Sequence, residues 1–265
     1  MTVNKQKILY ALIGLIAGCA IGFFFTNSVN RKAFEELQGE LARARSNAGG
    51  QPTQQGGASR SADGNSGDAT GASMPTEKEI RELIAKADAS LDDTEYQRKI
   101  GQGVYLYALS TGQPALMPEA VRLLKRAHEA DPKNYETTVL VGNSLFALAQ
   151  VADVSNFGEA RVYYNKALAT KPDDTNVQTL LGMTYFFGQP SDPERAIKAY
   201  RKSLAAEPRQ EMALQSLASA LIATGALAEA EKRIEELQTV NASNASLSNL
   251  RAQLAQAKNA AKEKD

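Results

Sequence analysis

Residues 142–172 read GNSLFALAQVADVSNFGEARVYYNKALATKP, and two later stretches repeat the same register. Small residues let two antiparallel helices approach to about 8–10 Å, and proline ends a helix because it cannot continue the hydrogen-bond ladder. Only the interval between the first small residue and the first alanine differs between copies. The register therefore predicts consecutive helix-turn-helix units. Its members are Gly142, Ala160, Tyr164, Ala167 and Pro172, then Gly182, Ala196, Tyr200, Ser203 and Pro208, then Ala218, Ala230, Ile234 and Leu237.

This register resembles the tetratricopeptide repeat, a helix-turn-helix unit of about 34 residues that stacks into a solenoid. The resemblance implies an all-α array at residues 94–240, of about three or four units, in a bacterial membrane-anchored protein that binds other proteins. An earlier unit ends in Ala120, Leu124, Ala127 and Pro132 at the same spacing. We expect Gly103 to be the small residue of its first helix, with Ala108 as the alternative.

Extended turns are predicted between the two helices of every unit except the last, at residues 110–117, 149–156 and 187–192. Two of these turns contain the same tripeptide, Gly112-Gln113-Pro114 and Gly188-Gln189-Pro190, which indicates duplication. Insertions at one point of a repeat project from one edge of a solenoid.

Both ends of the array show signs of capping. Thr76 and Glu79 form a predicted capping box, which opens an N-terminal capping helix at residues 76–93. Residues 241–265 are expected to form a C-terminal capping helix and tail, whose outer surface is polar, as solubility of a solenoid end requires. The buried side of that helix carries Leu247, Leu250 and Leu254.

The N-terminus is a separate element. A tail, residues 1–7, precedes an uncharged apolar run of 18 residues from Ile8 to Phe25, which is long enough to cross a bilayer core at about 1.5 Å per residue. We predict a single-pass transmembrane anchor at residues 8–29. The alternative is a lipoprotein signal, because Ile16-Ala17-Gly18-Cys19 resembles a lipoprotein cleavage box in which Cys19 would be lipidated.

Three glycines of the anchor, Gly14, Gly18 and Gly22, lie four residues apart on one helical face. Such a stripe lets two transmembrane helices dimerise closely, but glycine is also common in transmembrane helices, so a homodimer and incidental glycines both fit. A juxtamembrane helix is expected at residues 30–45, followed by a disordered Gly- and Ser-rich linker at residues 46–75. The helix carries a short heptad-like seam of Phe34, Leu37, Leu41 and Ala44.

The charges around the apolar run give opposing signals about sidedness. Basic residues after the run, such as Arg31 and Lys32, favour a cytoplasmic array. The short tail with Lys5 and Lys7 is typical of a signal anchor, and the cleavage-box resemblance requires export. We expect the array on the exported, periplasmic side of a cell membrane.

The composition argues against catalysis. The chain has one histidine, His128, and one cysteine, Cys19, too few for the ligand sets of zinc sites or for a nucleophile–base pair. The 30 basic and 30 acidic residues balance, without the basic excess of a nucleic-acid binder. We expect no cofactor, no metal, no nucleic-acid partner and no enzymatic activity; a site of carboxylates alone is the remaining catalytic alternative.

The resemblance places the first helix of each unit along an inner groove. Asn143 matches one position at which some family members clamp a C-terminal carboxylate, but the basic partners of that clamp are missing. A nearly uncharged groove suits an extended or helical peptide. The expected peptide-binding residues are Val139, Asn143, Phe146, Thr179, Met183, Phe186, Gln215 and Ser219. Further inner positions are Glu136, Ala147, Asn176, Phe187, Met212, Ile222 and Ala223.

The function predicted from these features is a membrane-anchored scaffold for a protein or peptide partner, in envelope complex assembly, secretion or cytochrome c maturation. A self-associating assembly adaptor driven by the anchor is the alternative.

Overall fold

The computed structural model describes residues 36–43 and 75–262, which are helical and contain no strand. The helices are α1 (36–43), α2 (Glu77–Ala89), α3 (Thr94–Thr111), α4 (Met117–Ala130), α5 (Tyr135–Val151), α6 (Asn156–Thr170), α7 (Thr175–Phe187), α8 (Pro193–Ala206), α9 (Glu211–Thr224), α10 (Leu227–Val240) and α11 (Leu247–Lys262). A 3₁₀ turn, Pro114–Leu116, precedes α4. Four units follow one another as α3–α4, α5–α6, α7–α8 and α9–α10.

Side-chain caps start five of the described helices, among them the helix that the predicted capping box opens. The capping box is present: the Glu79 amide donates to Thr76 Oγ1 at 3.3 Å, and the Thr76 amide donates to Glu79 Oε2 at 2.8 Å. Asn134 and Asp174 accept from the third residue of α5 and α7 in the same manner. Asp192, followed by Pro193, caps α8. Each cap satisfies an amide that the first turn leaves without a partner.

A glycine in the first helix and a tyrosine in the second hold units two and three together. A Cβ atom on Gly142 would lie 2.7 Å from Tyr164 Cε1, and one on Gly182 would lie 2.5 Å from Tyr200 Cε1. Both tyrosines are fully buried. The predicted register of small against large residues therefore forms the contact between the paired helices.

The first unit uses Gly101 for this contact, so the expectation for Gly103 was wrong. A Cβ atom on Gly101 would lie 2.8 Å from Leu124 Cγ, and Leu124 is the counterpart of Tyr164. Gly103 lies on another face of α3, where a Cβ atom would lie 2.6 Å from Leu37 Cδ1 of α1. Small residues on α3 thus serve two different helix contacts.

The shared tripeptide adopts two different conformations. Gly112 ends α3 in the left-handed region, with φ 64°. Gly188 ends α7 in an extended conformation, with φ −66° and ψ 166°. A Cβ atom on Gly188 would lie 2.6 Å from the Thr184 carbonyl oxygen, so this glycine is required by close approach. Identical sequence at the two turns therefore does not produce the same turn.

The core is continuous along the array. One apolar cluster runs from α4 to α11, a second joins α1, α2, α3 and α4 to α5, and Leu148 packs against both. The predicted stripe of α11, Leu247, Leu250 and Leu254, is buried at the C-terminal end.

No helix in the described part of the chain is both long and apolar enough to span a bilayer. The predicted anchor at residues 8–29, with Gly14, Gly18, Gly22 and Cys19, lies outside the described residues, as does most of the predicted linker.

Candidate interaction surface

Seven of the eight predicted groove residues are buried. Of the eight, only Val139 is partly exposed, and it packs against the main core cluster. The buried residues are Asn143, Phe146, Thr179, Met183, Phe186, Gln215 and Ser219. The inner face is therefore lined largely by side chains that belong to the core.

Met183 and Phe186 are the clearest corrections, with exposed fractions of 1% and 2%. The Phe186 ring meets Phe187 edge to face at 5.1 Å, and both belong to the main core cluster. Phe146 packs in the same way on Phe157 of α6, at 5.2 Å. These residues pack within the core and do not present anchors to a ligand in this structure.

Thr179 is committed to a buried polar network at the junction of α7, α8 and α9. Its hydroxyl lies 2.7 Å from Gln210 Oε1 and 2.9 Å from Ser203 Oγ. The Ser203 hydroxyl lies 2.6 Å from the same Gln210 oxygen. Gln210 Nε2 donates to Asn176 Oδ1 at 2.9 Å. The polar groups at this junction thus satisfy one another, as buried groups must.

An accessible strip remains on the first helices of the later units. We name it the inner strip. Its members keep exposed or half-exposed side chains at positions that the resemblance assigns to the groove. They are Glu136 and Val139 on α5, Asn176 on α7, and Met212, Ile222 and Ala223 on α9. Three of them, Val139, Met212 and Ile222, are apolar and pack against the core from its edge.

Each first helix carries at least one amide side chain whose NH₂ group donates to no described residue. Asn143 Oδ1 accepts from the Tyr164 hydroxyl at 3.0 Å, which leaves Nδ2. Asn176 likewise uses only its oxygen, for Gln210. Gln102 accepts from Arg98 at 3.3 Å through Oε1. The Gln215 carboxamide makes no hydrogen bond within the described part of the chain. We name Gln102, Asn143, Asn176 and Gln215 the amide row.

Charge at this face is concentrated on the first unit. Arg98 of α3 donates to both Glu95 carboxylate oxygens. Its hydrogen bonds to Glu95 raise the pKa of the Arg98 guanidinium, and the charges of Glu36 and Glu136 act in the same direction. Beyond this group the inner positions of α5, α7 and α9 carry only Glu136 as a formal charge.

Gln102 was missed in the sequence because the first unit was counted from Gly103. With Gly101 as the small residue, Gln102 occupies the position that Asn143 occupies in the next unit. The interval from Ala120 back to Gly101 is 19 residues and the interval back to Gly103 is 17, while 18 residues separate Ala160 from Gly142. The spacing alone therefore does not distinguish the two glycines, and the contact with Leu124 identifies Gly101.

Residues with the chemistry of metal ligands do not come together in residues 36–43 and 75–262, where no three His, Cys, Asp or Glu side chains cluster as a metal would need. His128 is buried between α4, α5 and α6, with Nδ1 3.2 Å from Thr138 Oγ1 and its ring 5.2 Å from that of Tyr163. Burial, together with Lys166, lowers the pKa of His128. Its contacts are those of a packing residue.

Comparison with known proteins identifies the repeat. Residues 189–254 match the tetratricopeptide repeat family. The protein contains tetratricopeptide repeats. The matched range runs from the turn before α8 to α11, and units one and two extend the same packing register in the N-terminal direction. No sequence among the curated proteins matches this chain.

Several solved structures of MamA share the fold. "Crystal structure of MamA" superposes with a TM-score of 0.51 at 21% identity, covering 63% of this chain and 90% of that one. "MamA 41-end from Desulfovibrio magneticus RS-1" gives 0.51 at 18% identity, covering 64% and 88%. "MamA RS-1 ArsTM double mutant" gives 0.52 at 16% identity, covering 82% and 97%. At such identities the likeness concerns the helical fold, which is in general that of a protein-interaction scaffold.

Proposed function

We propose that this protein is a membrane-anchored scaffold that binds a peptide segment of a protein partner along the inner face of its tetratricopeptide array. The amide row carries the proposal. Each first helix contributes at least one carboxamide whose NH₂ group donates to no described residue. Asn176 is exposed, and the nitrogen atoms of the other three are not fully buried, so a ligand that supplies acceptors can replace water at this face.

Peptide backbone supplies such acceptors. The carbonyl groups of an extended segment recur along its length, and main-chain hydrogen bonds with a few apolar contacts are a common mode of peptide recognition. Val139, Met212 and Ile222 of the inner strip offer those apolar contacts. Because this surface is nearly uncharged beyond the first unit, we expect the affinity to change little with salt concentration.

The membrane part of the proposal is supported by the sequence. The uncharged run from Ile8 to Phe25 has the length of a transmembrane helix. We place the array on the exported side and the function in envelope complex assembly, secretion or cytochrome c maturation. Lipidation of Cys19 is the alternative means of attachment.

Asn176→Asp tests the amide row. Aspartate keeps the oxygen that accepts from Gln210 but replaces the outward donor with an acceptor that repels peptide carbonyls. Asn249→Asp on α11 is the matched control, because Asn249 Oδ1 also accepts from a glutamine, Gln253, at 3.0 Å. We expect Asn176→Asp to lower partner recovery several-fold after crosslinking in membranes, with an unchanged melting temperature, while Asn249→Asp recovers as wild type. Equal recovery of both variants would refute binding at this face.

Extraction of membranes at alkaline pH tests the anchor. We expect the full-length protein to stay in the membrane pellet, and Cys19→Ser to stay there equally if a transmembrane helix is the anchor. Release of Cys19→Ser alone would assign the attachment to a lipid. Release of the wild-type protein would exclude both forms of anchoring.

A self-associating adaptor is the second candidate, favoured by the spacing of Gly14, Gly18 and Gly22. Gly18→Leu should separate two anchors that pack through this face, because it adds a bulky side chain at the contact. Leu12→Ala lies off the face and serves as the control. In a membrane self-association assay, an equal signal from the two variants would mean that the glycines are incidental.

A further inference from the structure

α1 docks in the cleft between α2 and α3. Leu37 and Leu41 are 2% and 3% exposed and join the apolar cluster that includes Ile80 of α2 and Ile100 of α3. Gly103 permits the contact, because the Leu37 side chain occupies the space that a Cβ atom on Gly103 would take. Two residues of the heptad-like seam, Leu37 and Leu41, thus pack within the array.

The polar side of α1 matches the charges of the cleft. Glu40 Oε2 lies 3.9 Å from Lys86 Nζ of α2, and Lys86 in turn lies over the Tyr96 ring at 4.9 Å. Glu36 acts on Arg98 of α3, whose pKa is raised chiefly by Glu95. The opposite side of α1, with Gly39 and Ala42, is exposed. One face of α1 is therefore complementary to the cleft in both shape and charge.

α2 has the connection of a second helix in a unit. Four residues separate α2 from α3, and the same number separates the second helix of each of the first three units from the next unit. Asp88 of α2 also bonds Arg122 of α4, at 2.5 Å, so α2 contacts the second helix of the following unit. In this arrangement α1 is the first helix of the unit that α2 completes.

The segment between α1 and α2 falls where the other units carry their insertions. Between first and second helices lie residues 112–116, 152–155 and 188–192 in units one to three. Residues 44–76 occupy the same point between α1 and α2. Their place in the chain order is therefore that of an insertion between the two helices of a unit.

We propose that α1 and α2 form a split repeat, in which the cleft between α2 and α3 binds α1 of the same chain and holds the array close to the membrane. The closeness of the array to the membrane rests on the proposed anchor. With α1 docked, only residues 30–35 separate the anchor from the array, a span of at most about 20 Å at 3.3–3.6 Å per residue. With α1 released, residues 30–76 would allow more than about 100 Å.

Photocrosslinking of the full-length protein in detergent tests the docking without reference to a membrane. p-Benzoylphenylalanine at position 37 should crosslink to α2 or α3 peptides of the same chain. Gly103→Leu should abolish this crosslink by filling the space of the side chain at position 37. Gly39→Leu should retain it, because no atom lies within 4 Å of a Cβ atom on Gly39. Crosslinks between chains, or no crosslink to α2 or α3, would overturn docking in cis.

Energy transfer to the bilayer tests the short tether. The donor is attached at Ala89→Cys in a Cys19→Ser background, in vesicles of phosphatidylcholine and phosphatidylglycerol with rhodamine-labelled phosphatidylethanolamine. Leu37→Glu with Leu41→Glu should lower the transfer several-fold, while Ala42→Glu should not. Equal transfer in all variants would refute the tether but leave the crosslink result standing. Failure of every variant to associate with vesicles would refute the anchor instead.

Discussion

At the scale of single residues, two equivalent tyrosines have different chemical environments. The Tyr164 hydroxyl donates to Asn143 Oδ1 at 3.0 Å. Tyr200 fills the same place in the next unit, where Met183 replaces the asparagine, and its hydroxyl bonds no described residue, although Ser216 lies near it. Burial raises the pKa of both phenols. The packing is thus repeated while the hydrogen bond is not.

Phenylalanine at the two positions should therefore have unequal effects. Tyr164→Phe loses a buried hydrogen bond and should lower the free energy of unfolding by about 1 kcal/mol. Tyr200→Phe removes a hydroxyl that bonds no described residue and should be neutral or slightly stabilising. Urea denaturation of both variants measures the difference. Equal destabilisation of the two variants would mean that the hydrogen bond of Tyr164 makes no measurable contribution to stability.

His128 should make the stability depend on pH. Because the folded state lowers the pKa of His128, it favours the neutral imidazole, so stability is full above the unfolded pKa and falls as pH drops through the folded value. The groups that face the ring are Thr138, Tyr163 and Lys166, with Glu129 and Asp131 near it along the chain. Thr138 Oγ1 donates to the Asn134 carbonyl oxygen at 2.8 Å, so His128 Nδ1–H donates to Thr138.

Melting temperatures between about pH 7.5 and 5.5 measure this dependence. The wild-type value should fall with pH over that range, and His128→Gln, which keeps a donor for Thr138, should show a smaller fall. An identical pH profile for the two proteins would assign the effect to other groups.

At the scale of elements, the contact between paired helices is set by matched volumes. Glycine faces tyrosine in units two and three, and Gly101 faces Leu124 in unit one. In unit four the register pairs Ala218 with Ile234, both fully or almost fully buried. Where one helix of a pair carries a larger residue, the other carries a smaller one. The two side chains together fill the space between the paired helices.

Gly182→Ala should measure how strict this fit is. The added Cβ atom would lie 2.5 Å from Tyr200 Cε1, and overpacking of this kind costs roughly 1–3 kcal/mol. Gly158→Ala on α6 is the control, because nothing lies within 4 Å of its Cβ atom and alanine favours a helix by up to about 1 kcal/mol. A destabilising Gly158→Ala, or a neutral Gly182→Ala, would contradict the volume argument.

Caps and helix seams could be predicted from sequence because they depend on residues a few positions apart. Thr76 with Glu79, and Asp192 with Pro193, act on their own first turns. The groove could not be predicted in this way, because burial of Phe146 depends on Phe157 of another helix. Gly103 was misassigned for a related reason: its partner, Leu37, lies on a helix distant in sequence.

At the scale of the whole molecule, each unit contacts its neighbours, as in other solenoids. The polar junction around Gln210 is one of the connections between units three and four, where Thr179 and Ser203 both donate to Gln210 Oε1. The stability of each of these two units should therefore depend partly on the Gln210 side chain.

Gln210→Ala should weaken this connection by leaving two buried hydroxyls with fewer partners, at roughly 1–3 kcal/mol. We expect faster hydrogen exchange in α9, α10 and α11, with α5 and α6 little changed, since coupling in solenoids is between nearest neighbours. Arg209→Ala, an exposed neighbour, is the control. A uniform increase in exchange along the array would indicate that the described units unfold as one.

The amide row has a consequence for selectivity. Every amino acid, proline included, offers a main-chain carbonyl oxygen. Contacts from the amide row to carbonyl oxygens would therefore not distinguish one peptide sequence from another. Only the apolar contacts with Val139, Met212 and Ile222 would then distinguish one peptide sequence from another. If the array binds peptide as proposed, we therefore expect it to accept a range of segments that share an extended shape.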